Sequence, residues 1–363
     1  MQHKHYKVRS QTLIAAINKR HLHYLVFILK SNNNKTGNYM IVSRAPLRVS
    51  LFGGGSDFRE YFNANGGAVL SIAINHFTYV IIKKCFEPLV YVNWSKYREV
   101  CNNSNEVKHD LIRESLLLAG IHTGVEVTCL SDVPGSGTGL GSSSSFMVAS
   151  LNAAFNFVGI QKSNFELGEL ACKIEIDLLK KPIGVQDQYI SALGGFQFLE
   201  FKNNNQIINN NLYNKSLDKV WENFYLIYTE QSRKSDSVLV EQKHNVSKNE
   251  GQLKQIVELA YKAKGYFINK EYDELGFLLD QAWNIKKQLS SNISNKIINE
   301  MYSFGLSSGA TGGKLCGAGN GGFLLFYVPR SNHIGFEKAF SSKKIVKFSC
   351  SKLGAATLLN NEK

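Results

Sequence analysis

The residue types best suited to chemistry lie in the run 132–146, D-V-P-G-S-G-T-G-L-G-S-S-S-S-F. Gly135, Gly137, Gly139 and Gly141 alternate through it, and Ser142 to Ser145 follow. Val125, Val127 and Cys129 alternate just upstream as a strand does, and Pro134 closes that strand. Downstream, Met147, Val148, Leu151, Ala154 and Phe155 recur at helical spacing. The run therefore reads as strand, glycine loop, helix N-terminus. Glycines let backbone N–H groups turn inward where a Cβ would block approach. The helix dipole adds about half a positive charge at the same point. The combination is an anion site suited to phosphates. No G-K-[ST] follows, so it is not a Walker A loop, and its glycine spacing is not that of a dinucleotide fingerprint.

Two further glycine-rich tracts flank this loop. Met40–Phe52, M-I-V-S-R-A-P-L-R-V-S-L-F, runs into G-G-G-S-D-F, and 312–328 reads G-G-K-L-C-G-A-G-N-G-G-F-L-L-F-Y-V. Between them, G-V-Q-D-Q-Y follows Pro182. The pattern P-x-x-x-G-L-G-S-S of the central loop resembles the phosphate loop of the GHMP kinases, the superfamily of galactokinase, homoserine kinase, mevalonate kinase and phosphomevalonate kinase. The outer tracts resemble that family's first and third motifs, in the same order and at compatible spacing. G-V-Q-D-Q resembles the G-I-M-D-Q segment of the galactokinases. The resemblance covers Met40 to the C-terminus. Asn320 stands where a fourth glycine is common, and its tolerance of left-handed geometry suits it to the place. The tracts R-V-S-L-F-G-G-G-S-D-F and E-I-D-L-L-K-K-P-I-G-V-Q-D-Q-Y look most like the branch of bacterial D-glycero-α-D-manno-heptose 7-phosphate kinases. Galactokinases carry E-H-T-D where this chain has G-G-S-D, and losing that acid and histidine leaves room for a bulkier acceptor.

The resemblance implies an α+β fold of two domains. The first is like domain 2 of ribosomal protein S5, the second is ferredoxin-like, and the active site lies in the cleft between them. It implies ATP and Mg²⁺ as cofactors. The loop Pro134, Gly135, Ser136, Gly137, Thr138, Gly139, Leu140, Gly141, Ser142 and Ser143 is expected to hold the ATP phosphates. Ser143 and Glu175 are expected to hold Mg²⁺, a hard cation that takes few protein oxygens beside those of phosphate. Asp187 is the expected base, with Arg48 beside it to keep the carboxylate ionised. Gly54, Gly55, Ser56 and Asp57 are expected at the sugar, and Gly317, Ala318 and Gly319 close over it. Arg233, in T-E-Q-S-R-K-S-D, is the expected contact to a 7-phosphate. The implied reaction phosphorylates the anomeric hydroxyl of the heptose 7-phosphate, feeding nucleotide-activated heptose into surface polysaccharide. A fucokinase- or galactokinase-like sugar 1-kinase is the alternative. A non-catalytic binding protein on the same fold stands third, since it would have no need of Ser143, Glu175 and Asp187 together. The adenine pocket is not legible, beyond the region near Trp94–Lys96, and a homodimer is compatible with the sequence.

Positioning these residues requires a definite set of elements. Met40–Phe52 reads as a strand pair broken at Pro46, and 67–74, 77–83 and 89–93 as further strands. Residues 109–119 read as a helix. So do residues 165–181, with Leu167, Leu170, Ala171, Ile174 and Leu178 on the apolar face, Glu175 on a less apolar side, and Pro182 as the stop. After a strand at Phe196–Phe201, the asparagine-rich tract 202–215 reads as a domain joint, dividing 40–210 from 211–363. A strand at 223–229 is followed by helices over 231–243, 253–267, 272–289 and 293–304.

Composition narrows the partners. The chain has 363 residues, is 44% hydrophobic and carries a formal charge of +13. Residues 1–39 hold seven lysines and arginines and no acid, which leaves +6 on the remainder. No basic run with interleaved aromatics stands out there, so the expected partners are a sugar phosphate and ATP, not nucleic acid or membrane. The apolar stretch 22–29 is far shorter than the roughly 20 residues a membrane span takes. Six scattered cysteines without C-x-x-C spacing fit reduced thiols and a cytoplasmic location. Residues 1–39 read as an extension outside the fold. Their deletion is predicted to leave kcat similar and the melting temperature within a few degrees. A folded, soluble but inactive truncation would refute that boundary.

Overall fold

The computed structural model describes residues 39–134, 137–231 and 236–361. Residues 1–38 of the expected extension lie outside that set. β1 (Met40–Phe52) alternates between buried and half-buried as far as Arg44 and is then buried at every residue. The change follows from coverage: helices from both parts of the chain pack against its second half. β1 is one strand, not the expected pair broken at Pro46. Its register against the next strand shifts between Pro46 and Arg48, and this bulge absorbs the missing N–H.

β2 (Gly67–Lys84) is likewise a single strand where two were expected. It serves two neighbours in turn. Together with β3 (Val90–Trp94), β4 (Tyr97–Cys101) and β5 (Val125–Ser131) it forms the path β1-β2-β5-β3-β4, in which only β3 and β5 run parallel. The other end of β2, Gly67–Ile72, pairs with β6 (Phe196–Phe201), and β6 pairs with β7 (Ile207–Asn211). The asparagine-rich tract therefore contains a hairpin strand, and the expected division at 210/211 falls inside that strand, before its last residue. Five helices accompany this sheet: α1 (Arg59–Asn65), α2 (Asp110–Leu118), α3 (Ser142–Phe157), α4 (Asn164–Cys172) and α5 (Gln186–Leu193).

The second sheet contains β8 (Phe224–Tyr228), β9 (Gly312–Leu315), β10 (Phe323–Tyr327) and β11 (Ile345–Val346) in the order β11-β8-β10-β9. Between β8 and β9 come α6 (Asp236–His244), α7 (Glu250–Asn269), α8 (Glu274–Lys286) and α9 (Lys296–Ser307). Between β10 and β11 comes α10 (His333–Ala339). With its helical insertion the unit is a βαββαβ, ferredoxin-like sheet, as the sequence implied. The helix expected over 231–243 is described from Asp236 onward. β12 (Ala356–Asn360) then returns to the first sheet and pairs with β1. One apolar cluster runs through both parts, with Leu47, Leu51 and Phe196 on one side and Trp221, Phe224, Leu278 and Phe323 on the other.

α8 lies close against β9 because neither side carries a Cβ at the crossing. A Cβ on Gly312 would stand 1.8 Å from the carbonyl oxygen of Gly276, and one on Gly276 would stand 1.9 Å from Thr311 Oγ1. That closeness decides where the C-terminal end of α8 reaches the cleft. Gly312→Ala is expected to cost roughly 1–3 kcal/mol, the range for overpacking. Urea unfolding should show a lower midpoint at unchanged slope, and an unchanged midpoint would refute the contact.

Candidate active site

Arg48 sits in the fully buried half of β1 and is 5% exposed. Its Nε donates to Asp187 Oδ1 at 2.7 Å and its Nη2 to Asp187 Oδ2 at 2.6 Å, a two-pronged grip on the first turn of α5. Its Nη1 donates to the carbonyl of Gly139 at 2.6 Å, so the same guanidinium also holds the glycine loop. Burial lowers the guanidinium's pKa, but the adjoining Asp187 carboxylate outweighs it and the net shift is upward. Gly141, at φ 73°, is the residue from which α3 starts. Ser142, Ser143 and Ser144 of its first turn line the cleft, and the first N–H groups of a helix have no intrahelical partners.

Glu175 is fully buried, against the expectation that it lies on a less apolar side. After α4 the helix widens into a π-helical turn, Lys173–Leu178, in which the N–H of Leu179 reaches back to Ile174. The added residue in the turn alters the facing that a regular helix period predicts. Glu175 accepts hydrogen bonds from Ser143 Oγ at 3.0 Å, Ser144 Oγ at 2.7 Å and Gln188 Nε2 at 2.8 Å. Lys181 Nζ lies 3.9 Å from Glu175 and 3.6 Å from Asp110. Burial pushes the Glu175 carboxyl above its ordinary pKa, with Lys181 and the three donors working against that. A carboxylate oxygen beside a serine hydroxyl at a helix N-terminus fits a hard divalent cation shared with phosphates.

The cleft is about 590 Å³. Arg48, Asp187, Gly54, Gly55, Asp57, Gly137, Thr138, Gly139, Gly141, Ser142, Ser143, Gly317, Ala318 and Gly319 all line it. Leu140 does not: its side chain belongs to the core and its carbonyl accepts the N–H of Arg48 at 2.9 Å. Nor does Ser56, which is fully buried and donates to the carbonyls of Gly53 and Ala68. Pro134 is exposed outside it. Gly135, Ser136 and Arg233 lie outside the described residues. Asp57 accepts the N–H groups of Gly55 at 3.0 Å and Gln186 at 3.2 Å, so it also fixes the entry into α5. Burial, and then the nearby Asp187, raises its pKa.

Sequence reasoning missed Lys181, Ser144, Gln188, Lys286 and Lys314. Lys314 left a trace, as a lone charge inside an otherwise small and apolar strand of the third motif. Lys286 left none, because N-I-K-K-Q at the end of an amphipathic helix reads as solvated.

The family model of the GHMP kinases N terminal domain matches residues 105–195, the stretch holding the glycine loop, Glu175 and Asp187. Over that stretch the chain is similar to the GHMP kinases. It is 28% identical over 338 residues to the D-glycero-alpha-D-manno-heptose 7-phosphate kinase of Campylobacter jejuni, covering 86% of this chain and 97% of that one. It is 25% identical to the bifunctional fucokinase/GDP-fucose pyrophosphorylase of Arabidopsis thaliana, over 77% of this chain but only 29% of that longer protein. The crystal structure of a D-glycero-D-manno-heptose 1-phosphate kinase from Bacteroides thetaiotaomicron superposes with a TM-score of 0.71 at 25% identity, covering 88% and 99% of the two chains. The GHMP kinases are ATP-dependent phosphotransferases, and the two-domain fold described above is theirs.

The buried Glu175 carboxyl yields a prediction independent of activity. An acid whose pKa rises on folding contributes stability that is full below its unfolded value, about 4.3, and lost as pH rises through the folded value. Ionising Glu175 as pH rises is therefore a cost. Glu175→Gln should melt at or above the wild-type temperature at pH 7, with the gap closing toward pH 4. A variant that melts far lower at pH 7 would mean the carboxylate is a net stabiliser of the free protein.

Proposed function

We propose that this chain is a GHMP kinase that transfers the γ-phosphoryl group of ATP to the anomeric hydroxyl of D-glycero-α-D-manno-heptose 7-phosphate, forming the 1,7-bisphosphate in the cytoplasm. The observation that carries the reading is one cleft lined by a helix N-terminus, Ser143 and the Arg48–Asp187 pair, with Glu175 buried behind Ser143. The heptose is favoured by the Campylobacter relative and by the glycines at 54 and 55, which leave the pocket open beside Asp57. Among the described residues no helix is long and apolar enough to cross a membrane.

Backbone N–H groups of the loop and of the first turn of α3 cradle the phosphates in this reading. Ser143 and Glu175 would hold Mg²⁺, which supplies neutralisation of phosphate charge when bound. Asp187 accepts the proton of the attacking hydroxyl. Each of its oxygens already receives one N–H from Arg48, and a carboxylate oxygen has a second lone pair for the proton. The hydroxyl oxygen bonds to the γ-phosphorus, the bond to the bridging oxygen breaks, and ADP leaves with that electron pair. Asp57 orients the ring, and Gly317, Ala318 and Gly319 cover it. Adenine is assigned to the side of Trp94, whose ring stacks on Tyr97 at 5.5 Å. Trp94 also meets His109 edge-on at 5.3 Å, and His109 lies 5.1 Å from Phe146 in the second turn of α3.

Asp187→Asn is expected to lower kcat by about two to four orders of magnitude, the range for a positioned general base, with ATP affinity little changed. A variant keeping more than about a tenth of wild-type kcat would remove Asp187 from that role, since a loose transition state needs little base assistance. A coupled ADP-release screen over the heptose 7-phosphate, mannose, fucose and galactose tests the acceptor. Fast turnover of free fucose would favour the second reading, a sugar 1-kinase like the Arabidopsis relative.

A further inference from the structure

The wall of the cleft contributed by the second sheet carries two lysines to which the reaction above gives no task. Lys314 projects from β9, is 5% exposed, and donates from Nζ to the carbonyl of Leu51 at 3.0 Å. Lys286 ends α8 and donates to the carbonyl of Leu315 at 3.2 Å and to that of Gly317. Both line the cleft. Its other cations have carboxylate partners: Arg48 has Asp187, and Lys181 has Glu175 and Asp110. Among the described residues, Lys286 and Lys314 have carbonyls alone. Carbonyls satisfy N–H donors but leave the charge uncompensated, and an uncompensated buried charge is costly. Burial, with Lys314 next, brings the Lys286 pKa down to about 7, and burial brings that of Lys314 down to about 8. Such a wall gains most from a ligand that arrives with negative charge.

Position separates this wall from the nucleotide side. The helix N-terminus, Ser143, Glu175 and Lys181 gather at the start of α3. Lys286 instead feels the charges of Arg48 and Asp57, the groups at the acceptor end. The close crossing of α8 on β9 brings the two ammonium groups to one place, where their mutual repulsion adds to the cost.

We propose that Lys286 and Lys314 receive the phosphate monoester of a sugar-phosphate acceptor and so select phosphorylated over free sugars, the task expected of Arg233. The assignment rests on the phosphoryl-transfer reading above. Lys286 holds the rim and the loop carbonyls, and Lys314 lies deeper. The phosphate exchanges their carbonyl contacts for charge-assisted ones, which are roughly twice as strong.

The test uses the full chain with Lys286→Met, Lys286→Arg, Lys314→Met and Arg233→Ala. Binding is measured by calorimetry without ATP, using heptose 7-phosphate and mannose 6-phosphate beside heptose and mannose, and steady-state kinetics follow. Lys286→Met should weaken binding of the phosphorylated sugars about tenfold to a hundredfold, the scale of a charge-assisted contact. It should change the free sugars and the KM for ATP by less than about twofold. Lys286→Arg should recover part of the loss. Methionine removes a penalised ammonium, so melting temperatures should not fall. Should Lys314→Met nevertheless fail to fold, Lys286→Met at the half-buried rim decides alone. Equal losses on phosphorylated and free sugars would overturn the proposal, as would a raised KM for ATP with acceptor binding intact. If the wild type prefers phosphorylated sugars and only Arg233→Ala abolishes that preference, the lysine assignment fails while the acceptor reading stands. If the wild type prefers free sugars, both fail together.

Discussion

A single guanidinium holds the cleft in register. Arg48 grips both oxygens of Asp187 with two N–H groups and the carbonyl of Gly139 with a third. It thereby ties β1, the first turn of α5 and the glycine loop to one rigid fork. Lysine could not replace it, because an ammonium offers a point charge and no planar pair of parallel donors. The pair survives burial because each charge compensates the other, and removal of either would strand its partner.

Backbone packed against backbone supplies the second constraint. A Cβ on Gly139 would stand 2.4 Å from the carbonyl oxygen of Cys316, and one on Gly317 would stand 2.5 Å from the Cα of Gly139. The N–H of Phe323 completes the junction by donating to the carbonyl of Thr138 at 3.2 Å. Two glycine loops from two different sheets thus touch without side chains between them. The cleft is closed at that point by the main chain itself, and the apolar core common to both sheets keeps the junction from parting.

The cleft's charges are costly in the free protein, and in opposite senses on its two sides. Glu175 is a buried acid whose pKa rises, and the half-buried Lys286 and buried Lys314 are bases whose pKa falls. A protein selected for stability alone would not keep them. Buried groups displaced from their usual titration range cluster where ligands supply the missing charge. A cation with phosphates on the Glu175 side and an anion on the lysine side would relieve both.

Much of this was legible in the chain before any coordinates. Glycine, serine and helical spacing around 132–157 are local signals, and local signals survive in sequence because backbone geometry and helix periodicity act over a few residues. The three motifs in order were enough to expect the two-domain α+β fold, and the left-handed φ of 63° at Asn320 was expected from residue type. Strand continuity at Pro46 and across β2 was not legible, because whether a bulge or a break forms depends on the partner strand. The inward facing of Glu175 was hidden by a π-helical turn, and the hairpin in the asparagine tract by its polar composition, which edge pairing tolerates. Lys286 and Lys314 lie 28 positions apart along the chain, and nothing within either segment refers to the other. Their meeting depends on a helix crossing a strand over two glycines, a contact between distant segments that only the tertiary structure decides.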